Sequence, residues 1–107
     1  MKYFLIVAAM ASCGGIAWAE DLDTLLAKFQ AARQQAPNDV AAYMERYMIC
    51  WHLGGEEGYD AARKAELARA AVEYRCATLQ ADQAALRRAY ADMPVAIAAL
   101  DAAAGLR

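Results

Sequence analysis

The sequence predicts an all-α fold: a small bundle of about four helices, one of them long and heptad-patterned, stapled by one disulfide between Cys50 and Cys76. Three observations carry that expectation. Apolar residues recur at steps of three and four along most of the chain, the spacing of one helical face. No segment shows the period-two alternation of a half-buried strand. Alanine, the strongest helix former, supplies 29 of the 107 residues.

The first element is one to be removed. Lys2 gives a positive start, Tyr3 to Ala11 forms a short apolar run, and Ala17-Trp18-Ala19 precedes Glu20. An apolar run of roughly 7–15 residues ending in A-x-A is the pattern of a secretory signal peptide. It falls short of the about 20 apolar residues a membrane span needs. The expected division is residues 1–19 as signal and 20–107 as a single helical domain, with no transmembrane segment after cleavage. A second reading is a loose lipobox, Met10-Ala11-Ser12-Cys13, which would leave a lipoprotein anchored through Cys13. Either route sends the chain to the periplasm or beyond.

Export decides how the cysteines read. Past residue 19 only Cys50 and Cys76 remain, an even pair in an oxidising compartment. Neither a C-x-x-C motif nor a zinc-finger Cys-His spacing accompanies them. In a tight hairpin Cys50 would face Asp60 to Lys64. A bridge to Cys76 therefore requires the intervening loop to run back along the third helix, clamped in place.

The helices follow in order. Leu22, Leu25, Leu26, Phe29, Ala32 and Ala36 mark the first, from about Asp21 to Ala36, and Pro37 closes it. Asn38 is the expected N-cap of the second, with Asp39 near the positive end of its dipole. Val40, Tyr43, Met44, Tyr47, Met48 and Trp51 form the clearest amphipathic stripe, stopped by Gly54 and Gly55. Gly54 to Tyr59 is the one obvious loop. Asp60 then caps an alanine-rich run reaching Asp92, in which Val72, Leu79, Leu86 and Met93 recur every seven residues, with Cys76, Gln83 and Tyr90 at the complementary positions. Any break in it is expected near Thr78 to Asp82. Pro94 suits the first turn of a short last helix holding Val95, Ile97 and Leu100, ended by Gly105.

Composition excludes more than it selects. The 11 basic and 13 acidic residues give a net charge of −2, without the basic excess of a nucleic-acid binder. Of the 65 residues counted as hydrophobic, 15 precede Glu20 and 24 of the remaining 50 are alanine. Only 26 larger apolar residues are left for a core. After cleavage the charge is ten basic against thirteen acidic, or −3.

Few residues suggest chemistry. His52, the single histidine, stands beside Trp51 and near Glu56, Glu57, Asp60 and Arg63. Histidine with acidic neighbours suits acid–base work or metal binding, yet no nucleophile or second base accompanies it. Met44, Met48 and His52 fall at i, i+4 and i+8, a soft ligand set of the kind copper takes. Methionine and aromatic residues at this spacing equally describe core packing. Glu66, Arg69, Glu73, Arg87 and Arg88 are scattered along the long helix, and the Glu66/Arg69 pair at i, i+3 suits a solvated face. No catalytic residue and no cofactor is assigned.

Cys76, Asp82, Leu86 and Tyr90 (CATLQADQAALRRAY) resemble the helical segment of small secreted lysozyme-inhibitor-like bacterial proteins, which carry Cys, Asp, Leu and Tyr along one helix. The likeness covers about fifteen residues. It departs in the short step from Cys76 to Asp82, in Arg87 where those proteins typically carry Asn, and in the smaller number of cysteines. It is not read as membership.

The expected function is that of a small exported helical protein that binds an envelope macromolecule, in the manner of an inhibitor or immunity protein, with an envelope protein as partner. The alternatives are a metal or small-ligand binder using His52 with Met44 and Met48, and an enzyme using His52 with Glu56, Glu57 and Asp60. A thin core beside a long smooth helix also allows a homodimer. The two processing routes separate on the exported protein: N-terminal sequencing and intact mass are expected to show an unmodified Glu20, and a lipid-modified Cys13 would replace that assignment.

Overall fold

Asp21 starts the first helix by accepting the Thr24 N–H at 2.9 Å, which holds its carboxyl below the usual value. The computed structural model describes residues 21–106. Within them the order is Leu22–Gln35 (α1), Asn38–Gly54 (α2), Ala61–Glu73 (α3), a 3-10 turn at Cys76–Thr78, Leu79–Ala89 (α4) and Pro94–Ala104 (α5). The described chain is helical, without strands. No helix among these residues is long and apolar enough to cross a membrane. The expected signal segment and Cys13 lie outside the described residues.

Most boundaries have the local cause the sequence suggests. Ala36 is extended, at φ −80° and ψ 155°, because the ring of Pro37 disfavours helix in the residue before it. Pro37 itself is the cap position of α2, so Asn38 is the first helical residue and not the cap. Asp60 caps α3 through the Arg63 N–H at 2.8 Å. Pro94 sits in the first turn of α5, and Gly105 follows its end.

The core belongs to three helices. Phe29 from α1, Val40, Tyr43 and Met44 from α2, and Ala96, Ala99, Leu100 and Ala103 from α5 are buried together with Leu106. In α5 the buried residues stand at i, i+3, i+4 and i+7, one helical face. Three of them are alanines, which bring the α5 backbone close to its neighbours. Alanine thus contributes more to this core than its size suggests. Val95, in the first turn of α5, is 42% exposed. At the chain end the Tyr47 hydroxyl donates to the Leu106 carbonyl at 2.9 Å.

The expected long heptad helix does not form. The run from Asp60 to Asp92 is α3, a reversal, the 3-10 turn and α4, so the bundle has five helices. The break comes earlier than Thr78. Arg75 adopts the left-handed conformation at φ 52°, which costs a non-glycine residue energy and needs support from its surroundings. Val72 and Leu79 consequently fall on unrelated faces. Val72 is 78% exposed, whereas Leu79 and Leu86 pack on the core.

The support is the disulfide. Cys50 and Cys76 are bonded, with Cα atoms 5.6 Å apart. Beyond Gly54 the connection lies against the first turn of α3. Glu56 pairs with Arg63 at 2.8 Å, and a Cβ at Gly58 would sit 2.5 Å from Cγ of Lys64. α3 buries no residue, and α2 and the 3-10 turn are the helical elements it touches among the described residues. Closing 26 residues of sequence separation contributes about 3.5 kcal/mol on the chain-entropy estimate. The Cys50→Ala/Cys76→Ala double variant is expected to lose about that much in urea unfolding. Hydrogen exchange in 61–73 should quicken well before exchange in α2; equal protection of the two helices would remove the tethering role.

Candidate functional site

The last turn of α2 carries the residues that the sequence marks as a site. Trp51 is half-buried and packs on the core. His52 is exposed, its ring 5.3 Å from the Trp51 ring and near edge-on to it. Glu56 does not turn to His52; it pairs with Arg63, which also reaches Glu66 at 3.2 Å. Asp60 is engaged as the α3 cap, and Glu57 is exposed. The structure therefore joins Trp51 to His52 and Glu56 to Arg63, but it draws no carboxylate to the imidazole.

The soft-ligand set is also divided. Met44 is fully buried, Met48 packs on the core, and His52 stands in solvent. Among the described residues no group of three or more His, Cys, Asp or Glu could hold a metal ion. The stripe of Tyr43, Tyr47 and Trp51 packs inward, with Tyr43 3% exposed.

Trp51 separates two open grooves. On one side it joins Leu22 and Leu26 of α1 with His52, Gly54 and Glu56 around about 610 Å³. Leu22 is 50% exposed there. On the other side Trp51 and Tyr47 face Gln80, Gln83 and Arg87 of α4 across a second groove, also about 610 Å³. The bridge at Cys50, one residue before Trp51, fixes the end of α2 that carries both walls.

The polar side of the second groove is built by a chain of bonds. Gln83 Nε2 donates to the Tyr43 hydroxyl at 3.0 Å, and burial raises the pKa of that phenol. Arg87 Nε donates to Gln83 Oε1 at 3.0 Å, and Arg87 Nη2 to Asp101 Oδ1 at 2.7 Å. In the sequence Arg87 is one of several charges scattered along the long helix. Its partner on α5 lies fourteen residues away, a tertiary contact that helical periodicity does not encode.

Arg46 is the functional-looking residue that sequence reading misses. Its guanidinium donates to the Tyr74 carbonyl at 2.8 Å, to the Arg75 carbonyl at 3.2 Å and to Asp82 at 2.6 Å. It thereby satisfies the end of α3 and joins the reversal to α4. The one available signal is a lone cation inside the α2 stripe, one turn before Cys50.

The residues that resemble the lysozyme-inhibitor-like segment turn toward α2. Cys76 bonds Cys50, Asp82 accepts from Arg46 and Thr78, Leu86 packs on the core, and the Tyr90 hydroxyl donates to Asp39 at 2.7 Å. The bond to Asp39 raises the pKa of Tyr90. In this chain the pattern is the face by which α4 docks. No protein-family model, curated protein or solved structure matches the chain.

Asp82 gives the junction a pH dependence. The Arg46 bond, then the Thr78 bond, hold its carboxyl below the ordinary 3.8. A folded pKa below the unfolded one stabilises the fold above the unfolded value, and the contribution is lost as pH falls through the folded value. Asp82→Asn should therefore lower stability near neutral pH and flatten the acid-side decline below about pH 4. An unchanged pH profile would show that the pair contributes nothing. Arg46→Ala removes the guanidinium donor of the Tyr74 carbonyl and the partner of Asp82, leaving the Arg75 carbonyl its bonds from Thr78, and is expected to cost about 2–3 kcal/mol in urea unfolding.

Proposed function

We propose that the chain is a small exported protein that acts by non-catalytic binding to an envelope macromolecule, as an inhibitor or immunity protein does, through the face centred on Trp51. The observation that carries this reading is the position of Trp51 as the shared wall of two grooves, with a disulfide one residue away. Large aromatic side chains that keep part of their surface open are the usual anchors of binding faces. A disulfide that immobilises the helix end beside the anchor lowers the entropy lost on binding.

Support comes also from how the remaining polar residues are engaged. Arg63, Glu56 and Asp60 hold the loop and the start of α3 together, which makes them scaffolding for the face. The apolar groove formed with Leu22 and Leu26 continues the same face onto α1. The signal-like N-terminus directs the chain out of the cytoplasm, where such partners are found.

The test is site-specific photo-crosslinking in intact cells. A photoreactive residue replacing exposed His52 is expected to yield an adduct of one discrete mass, while the same residue replacing exposed Gln34 on α1 yields none. Absence of any adduct from position 52, with the protein exported and folded, would sink the proposal.

A further inference from the structure

We infer that the groove between α2 and α4 is a binding slot for a neutral oligosaccharide, the Trp51 and Tyr47 rings forming one wall and Gln80, Gln83 and Arg87 the other. The inference rests on the reading of the Trp51 face as the binding face and names the chemistry it recognises. The groove encloses about 610 Å³, within the roughly 300–1,000 Å³ of small-ligand sites. That space suits a short run of pyranose rings.

The two walls supply what a sugar needs. One face of a pyranose presents C–H groups and packs on an aromatic ring, whereas its edge carries hydroxyls that both donate and accept. Amides match such hydroxyls because each offers two donors and an acceptor, and a guanidinium adds a planar fork of donors. Here the aromatic wall comes from α2, and the amide–guanidinium wall stands opposite on α4. Ala84 and Ala104 also line the groove, and their small side chains leave the space between the walls open.

The polar wall is set before any ligand arrives. Gln83 is held at both ends of its amide, by Tyr43 and by Arg87. Arg87 is anchored in turn on Asp101. Tyr43 accepts from Gln83 through its oxygen, so its own O–H is available to donate. Side chains already fixed lose little freedom when a ligand binds.

Charge selects against anionic ligands. Arg87 is the one cation lining the groove, and Asp101 at 2.7 Å compensates it. A phosphate or a carboxylate would meet a cation whose charge Asp101 already compensates, beside a carboxylate that repels it. A neutral polyol uses the guanidinium hydrogens that remain without breaking the ion pair.

The test uses the exported protein as the cell processes it, titrated by saturation-transfer NMR with chitotriose, cellotriose and maltotriose. At least one is expected to bind, with transfer strongest at ring C–H protons. Ala84→Phe fills the slot from an exposed position and should weaken that binding at least about tenfold. Gln80→Ala removes a rim amide that makes none of the bonds holding the bundle, and should weaken it by about threefold. Circular dichroism melting of both variants separates lost binding from lost fold. No transfer from any of the three sugars at about 10 mM, or binding indifferent to Ala84→Phe, would overturn the inference. A protein adduct from position 52 together with no sugar binding would sink the oligosaccharide slot and leave the Trp51 face standing.

Discussion

α3 and the reversal that follows it hang from one junction on α2, where Arg46 and Cys50 grip the same turn of the chain. They stand at i and i+4, so the guanidinium and the sulfur share a helical face. Arg46 takes the carbonyls that end α3, and Cys50 takes the sulfur just beyond them. Between those contacts Arg75 holds a backbone conformation that only a well-determined surrounding keeps in place. Asp82 then passes the connection on to α4. Loss of this junction would free α3, while α4 keeps its own ties to the core through Gln83, Arg87 and Tyr90.

The parts of the fold legible in the sequence are those set by neighbouring residues. Asp21 and Asp60 cap the helices they precede, and Pro37, Gly54, Pro94 and Gly105 punctuate the chain where turn chemistry places them. The cysteine pairing was legible through chemistry of a different kind, an even count and an expectation of export. The heptad from Val72 to Met93 misled because periodicity assumes an unbroken helix. One left-handed residue rotates everything after it, and no local preference in Tyr74-Arg75-Cys76 announces that residue. It is imposed from α2, 26 residues back along the chain.

The same division governs the site. Trp51, His52 and Glu56 stood out because they are unusual residues in a short loop region, and they do line a groove. Leu22 and Leu26 looked like ordinary members of an amphipathic helix; only the packing of α1 beside the end of α2 makes them part of that groove. Gln80 had no sequence signal, Gln83 stood out only as a heptad position, and Arg87 read as one of several scattered charges, because polar residues on an alanine-rich helix read as solvated until a neighbour is known. Alanine itself was undervalued. At Ala96, Ala99 and Ala103 it is the residue that lets three helices share a core too small for larger side chains.

The position of the bridge also fixes how the molecule responds to a protease. The connection from Gly55 to Asp60 is the segment between α2 and α3, and its Tyr59 is 76% exposed. A cut there would divide the chain between Cys50 and Cys76, leaving two fragments joined through sulfur. The nicked molecule would gain only the mass of one water and keep its buried cluster under oxidising conditions, and would separate into two bands only after a thiol was added. Cleavage of this loop is therefore a scar rather than a loss.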